Sequence, residues 1–209
     1  MTDASRQSHW ENVYTSRGEC DVSWFQETPR VSLELLELVG ATPNSAIIDI
    51  GGGASRLVDA LVARGFTDLT VLDLSSAALA ASRKRLGVKS DQVEWIAADM
   101  TGWAPSRTYD VWHDRAAFHF LTDRADQAAY GARLRSALRQ GGHAIIGTFA
   151  PDGPEKCSGL PVVRHDAASL QEIFGPEFAL VDSRRHNHMT PLGVTQRFQF
   201  STYLRIKMK

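Results

Sequence analysis

From residue 46 onward, short apolar runs alternate with longer amphipathic stretches. The runs over 46–50, 69–73 and 93–97 are too short for helices and rich in Ile, Val and Leu, which predicts buried strands. A weaker strand is expected over 109–113, and the most apolar one over 143–149. Between them, 56–64, 75–86 and 122–138 carry helical spacing. Ser75 or Ser76 and Thr122-Asp123 stand where caps are needed, and Gly65, Gly87 and Gly141-Gly142 stand where helices stop. A helix over 28–39 precedes the first strand, a short one is expected over 167–174, and two strands over 178–185 and 196–206 follow it with no helix between. Strands alternating with helices imply right-handed βαβ crossovers and a doubly wound, mainly parallel sheet covered on both faces.

In such a sheet, ligands bind beyond the carboxyl ends of the strands. The first strand runs into Asp49-Ile50-Gly51-Gly52-Gly53-Ala54-Ser55-Arg56. Glycines there allow a tight turn and close approach of a ligand to the backbone. Gly51 and Gly53 fit the start of G-x-G-x-x-G, but Arg56 replaces the third glycine, and no Lys-Ser/Thr follows to make a P-loop. Taken alone, the cluster also fits a plain strand-to-helix turn. Asp73 ends the second strand, beside Leu74, 20 positions after Gly53, where a carboxylate can accept both ribose hydroxyls. Asp99 follows the third strand and can accept from an adenine amino group while Met100 packs on the ring. Each Asp alone also fits a helix cap. Asp49, Asp73 and Asp99 at three successive strand ends suit an adenosine with a positively charged end better than a pyrophosphate.

With these residues in place, the chain resembles the class I S-adenosylmethionine-dependent methyltransferases. Asp49, Gly51 and Gly53 match the acidic-x-G-x-G motif, with Gly52 where many members carry Cys or another small residue, a departure expected to be harmless. The resemblance implies S-adenosyl-L-methionine as cofactor, with Asp73 at the ribose and Asp99 with Met100 at the adenine. It also implies a seven-stranded Rossmann-like sheet closed by a C-terminal antiparallel β-hairpin, with an aromatic lid at the N-terminus. The expected division is 1–44 for lid and helix, 45–149 for the cofactor-binding core, and 150–209 for a substrate loop and the hairpin.

The acceptor side is read from the other strand ends. Trp112-His113-Asp114-Arg115-Ala116-Ala117-Phe118-His119-Phe120 is dense in titratable and aromatic groups. His113 or His119 is a candidate base, Asp114 its orienting partner, and Arg115 a holder of an anionic substrate; His113 is also a candidate cofactor contact. A salt-bridged Asp-Arg pair beside a packed histidine is the plainer alternative. Trp10, Tyr14, Trp24, Phe25, Phe118 and Cys157 are candidates for the substrate pocket. Cys157 lies in a Pro/Gly-rich stretch expected to be a long loop, and a lone cysteine is more often inert. Arg184, Arg185, His186 and His188 fit an anion or metal site less well than a solvated turn, and no metal is expected.

Protein-lysine methyltransferases of the same family show a similar W-x-x-x-Y opening followed by W-[FY]. They carry Asp-Lys-Gly where this chain has Asp114-Arg115-Ala116. A small-molecule acceptor is therefore preferred, with a protein lysine as the alternative. A nicotinamide-dependent oxidoreductase lacks its third glycine and a Tyr-x-x-x-Lys; a non-catalytic nucleoside-binding module is a further reading.

Charge and composition narrow the partners. The 209 residues hold 23 Lys+Arg and 24 Asp+Glu, a formal net charge of −1, which argues against nucleic acid as a partner. No apolar run approaches the roughly 18 residues of a membrane helix. A polar start and only two cysteines, Cys20 and Cys157, point to a cytoplasmic protein.

Overall fold

The computed structural model describes residues 3–16 and 18–208. Seven strands form one sheet: β1 (Ile47–Ile50), β2 (Leu69–Asp73), β3 (Val93–Ala97), β4 (Tyr109–Arg115) and β5 (Leu138–Phe149), then, after a separate ladder of β6 (Lys156–Cys157) and β7 (Leu160–Pro161), β8 (Phe178–Met189) and β9 (Thr195–Arg205). The order is β3-β2-β1-β4-β5-β9-β8. β1 to β5 run parallel, and β9 and β8 are antiparallel to their neighbours. The doubly wound α/β class and the closing hairpin expected from the sequence are both present. The strand order reverses between β1 and β4, so a crevice opens beyond their carboxyl ends.

Among the described residues there are six α-helices: α1 (Asp3–Ser16), α2 (Arg30–Leu38), α3 (Leu57–Ala63), α4 (Ser76–Leu86), α5 (Arg124–Ala137) and α6 (Ala167–Phe174). Successive strand residues face opposite layers. Ile47, Val71 and Ile145 pack with Leu36, Leu57 and Leu61 on one side. Ile48, Leu72 and Ile146 pack with Tyr130, Leu134 and Phe174 on the other. Side-chain caps begin three helices: Ser75 accepts from the Ala78 amide, Asp123 from Ala125, and Asp166 from Ser169.

Five places differ from the sequence reading, one of them β8, which runs to Met189, four residues past its expected end. The 10–14 stretch lies in a full helix, α1, although it carries no continuous apolar stripe. β5 begins at Leu138, because α5 stops at Ala137 and the chain is already extended before Gly141, whose φ of +78° turns it within the strand. β4 runs two residues further, through Arg115. The Pro/Gly-rich stretch contains the small β6–β7 hairpin, where Ser158 and Gly159 both take positive φ. Among the described residues, no helix is long and apolar enough to cross a membrane.

Candidate functional site

The loop after β1 is built on contacts that leave no room for side chains. Gly51 has φ +65°, and a Cβ there would lie 2.5 Å from Ala117 Cβ. A Cβ on Gly52 would meet Asp49 Oδ2 at 2.4 Å, and one on Gly53 would meet Asp73 Oδ2 at 2.5 Å. Gly52 is therefore required by the pose of Asp49. The Arg56 side chain, at the place of a third glycine, lies over the Phe25 ring.

Asp49 is buried under this loop. Its Oδ1 pairs with His113 Nδ1 at 2.7 Å, and His113 Nε2 meets Ser32 Oγ at 2.9 Å. Donation from Nδ1 to Asp49, with Nε2 turned to the Ser32 hydroxyl, satisfies both contacts. Asp49 Oδ2 is buried with no hydrogen-bond partner. An orphaned carboxylate oxygen above a glycine cradle is a ready acceptor for a cationic ligand group.

Asp73 ends β2 and is 7% exposed. Its Oδ1 accepts the Ser75 amide at 2.8 Å. Burial pushes its carboxyl up to about 7, against the lowering effect of the Ser75 amide and with help from nearby Asp49. Beyond it, Asp99 Oδ1 accepts from Thr101, while Oδ2 meets Arg6 of α1 at 3.2 Å. Asp73, Leu74, Asp99 and Met100 line one cleft together with Gly51, Leu72, Ala98 and Leu121. The cleft takes in about 760 Å³, part of it open to solvent.

The opposite wall is aromatic. Arg6, Trp10 and Tyr14 recur every four residues on α1 and all face the cleft. Trp10 meets Trp24 at 5.7 Å and Phe120 at 4.9 Å between ring centroids, both edge-on. Arg115, Ala116, Ala117 and Cys157 complete the wall. Burial holds the Tyr14 hydroxyl well above its ordinary value and pushes the Cys157 thiol up to about 12, so both keep their protons near neutral pH. Burial lowers Arg115 from its ordinary value, opposed by Asp49, yet a guanidinium remains charged.

Several sequence candidates are not brought to this wall. Asp114 is fully buried, where it accepts the Ala117 and Phe118 amides and the Tyr130 hydroxyl. Burial raises it to about 6, against those hydrogen bonds. It ties down the turn after β4 and faces neither histidine as an orienting partner. His119 Nδ1 accepts the Phe149 amide at 3.3 Å, and burial lowers it to about 3, leaving a neutral packed ring. Phe118 packs on Tyr130 and Phe174 in the core. His113, Asp49, Gly52 and Phe25 line a smaller adjoining recess shared with Tyr14, Trp24 and Arg115.

Arg115 is thus the one candidate base or partner from 113–119 on the main wall. Phe120 takes the place expected of Phe118, because the 3-10 turn at Phe118–Phe120 reverses which ring faces the cleft. Arg6, Ala116, Ala117 and Phe120 also line the cleft, and of these only Phe120 carried a signal, as part of an aromatic cluster. Among the described residues, no group of three or more His, Cys, Asp or Glu is placed to hold a metal.

Comparison with known proteins is consistent with this geometry. A family profile described as a methyltransferase domain matches residues 47–142. The chain is 26% identical over 191 residues to EEF1A lysine methyltransferase 2 of Danio rerio, covering 84% of this chain and 76% of that one. It is 31% identical over 121 residues to trans-aconitate 2-methyltransferase of Azoarcus sp. strain BH72, covering 57% of this chain and 45% of that one. The crystal structure of Burkholderia thailandensis 1,6-didemethyltoxoflavin-N1-methyltransferase, with bound 1,6-didemethyltoxoflavin and S-adenosylhomocysteine, superposes with a TM-score of 0.70 at 20% identity, over 98% of this chain and 85% of that one.

Proposed function

Given that the chain is a class I S-adenosylmethionine-dependent methyltransferase, we propose that its acceptor is a small molecule enclosed beneath α1. The observation that carries this reading is the closure of the cleft. Glu11 of α1 accepts from Ser75 Oγ and from the Ser76 and Ala77 amides at the start of α4. Arg6 spans Asp99 and Asp126. A helix tied at both points, with Trp10 and Tyr14 facing inward, encloses a compact acceptor more readily than a protein segment.

The residues fit the cofactor by their chemistry. The orphaned Asp49 oxygen suits the amino-acid ammonium, Asp73 the ribose hydroxyls, and Asp99 the adenine amino group. Leu74 and Met100 offer apolar packing, and the glycines allow close approach. His113 braces Asp49. When bound, S-adenosylmethionine supplies an already activated sulfonium methyl. The protein's part is to align the acceptor and exclude water with the aromatic wall. His119 and Asp114 lie off the cleft, and Tyr14 and Cys157 hold their protons, so none of these four supplies a base to the acceptor.

The protein-lysine reading is supported by the similarity to EEF1A lysine methyltransferase 2, which spans most of the chain. Against it, Arg115 presents a cation where an ammonium substrate would approach. The two readings separate by adding labelled S-adenosylmethionine to a cell extract with the enzyme. Label in a low-mass product that separates from S-adenosylmethionine and forms only when active enzyme is added is expected. Label retained on protein and released as methyl-lysine after hydrolysis would replace this reading with the other.

A further inference from the structure

The end of β4 delivers a cation into the cleft without an opposing carboxylate. Arg115 pairs in register with Gly147 of β5, one residue beyond the Asp114–Ile50 pair, so it sits at the switch point of the sheet. One terminal nitrogen donates to the Trp24 carbonyl at 2.9 Å. Among the described residues, Arg115 makes no ion pair within 4 Å, unlike the Arg85–Asp59 pair at 2.6 Å. Asp49, the strongest acidic influence on it, makes no ion pair with Arg115; its Oδ1 goes to His113 and its Oδ2 has no hydrogen-bond partner. The rings of Trp10, Trp24 and Phe120, with Tyr14, bound the same cleft. The half-buried guanidinium keeps donors on the cleft that no side-chain acceptor takes, and its planar fork matches a carboxylate.

We propose that Arg115 is the specificity-determining residue for the acceptor, and that the acceptor is a compact carboxylate. Its carboxylate group rests on the Arg115 guanidinium, and its flat apolar body lies against Trp10, Trp24 and Phe120. The inference rests on the small-molecule reading above and narrows it to one chemical class. The cofactor carries a carboxylate of its own, so the shared chemistry is a carboxylate on Arg115 and the two sources must be told apart.

The test is calorimetry on the full chain saturated with S-adenosylhomocysteine, using benzoate, benzamide and benzylamine as probes of one shape and three charges. Benzoate is expected to bind about tenfold or more tightly than the other two, the scale of a charge-assisted pair. Arg115→Met is expected to erase that preference and Arg115→Lys to keep part of it, with S-adenosylhomocysteine affinity altered less than about threefold. Equal binding of the three probes, preference for benzylamine, or no measurable binding of benzoate overturns the proposal.

It is also overturned if Arg115→Met weakens S-adenosylhomocysteine by about tenfold or more while leaving its decarboxylated analogue unaffected. That result assigns Arg115 to the cofactor. The probe comparison on the unsubstituted protein needs no variant, so a poorly folding Arg115→Met leaves the proposal exposed to refutation. Failure of the parent reading is distinct: methyl label would appear on protein, whereas failure of this inference alone leaves label in the low-mass product without charge preference.

Discussion

Asp73 shows how burial alone prepares a side chain. With its carboxyl raised to about 7, chiefly by burial, it is only partly ionised near neutrality. Hydroxyl donors favour the ionised form, so ligand binding releases a proton and affinity rises with pH. S-adenosylhomocysteine titrated by calorimetry should bind more weakly as pH falls below about 7, approaching tenfold per pH unit. Asp73→Asn should flatten that dependence and weaken binding about 10- to 100-fold, the range for losing a charged hydrogen-bond acceptor. An unchanged pH profile in the variant would remove Asp73 from the ribose role. The position of Asp73 was legible because strand period and the 20-residue spacing set it. The surroundings of His113 and His119 were not legible. Whether a histidine meets a cleft, an Asp49 carboxylate or a Phe149 amide depends on packing partners far away in the chain. The same holds for Ala116, whose φ of +67° marks the turn that brings Arg115 and Ala117 to the wall.

At the level of elements, α1 is the least self-evident part of the fold. Its sequence, Asp-Ala-Ser-Arg-Gln-Ser-His-Trp-Glu-Asn-Val-Tyr-Thr-Ser, has little apolar periodicity, so a sequence reading sees an aromatic polar stretch. Its helix is held by what it caps. The Glu11 carboxylate satisfies two backbone donors and the Ser75 hydroxyl at the start of another helix, where anions are favoured. Glu11→Ala should cost about 1–2 kcal/mol of α1 docking, as for a lost helix cap. The variant should be cut faster within α1 by limited proteolysis and should release S-adenosylhomocysteine faster in stopped flow. If cleavage and release match the parent, Glu11 is not the tie. The strands and α3 to α6 were readable because each couples a periodic apolar face to a cap or a glycine stop. The β6–β7 hairpin was hidden because two-residue strands have no period to detect.

Across the whole molecule, buried titratable groups pull in opposite directions. His119 and His165 are lowered by burial to about 3 and about 4, so the unfolded chain binds protons that the folded chain refuses. Their contribution to stability is complete above their ordinary value of about 6.5 and is lost as pH falls through the folded values. Asp73 and Asp114 are raised by burial to about 7 and about 6. Their folded forms take up protons first, so their contribution is complete below the ordinary carboxylate value of about 3.9 and is lost as pH rises through 6 and 7. The two pairs largely offset each other between pH 6.5 and 4. His143, His186 and His188, also lowered by burial, leave a mild net loss on acidification. Melting temperature should therefore fall gently over that range, and Asp114→Asn should steepen the fall. A slope that Asp114→Asn leaves unchanged would mean that Asp114 does not supply the offset. The topology itself was legible from alternation and crossover handedness. The way α1 closes over the switch point was not, because it rests on charges that meet only in the folded chain. Those charges have a further consequence. The ties of Glu11 to amides and of Arg6 to Asp99 and Asp126 are electrostatic and partly exposed, so dissolved ions weaken them. The protein should consequently exchange cofactor faster as ionic strength rises, even while the buried sheet beneath stays indifferent to salt.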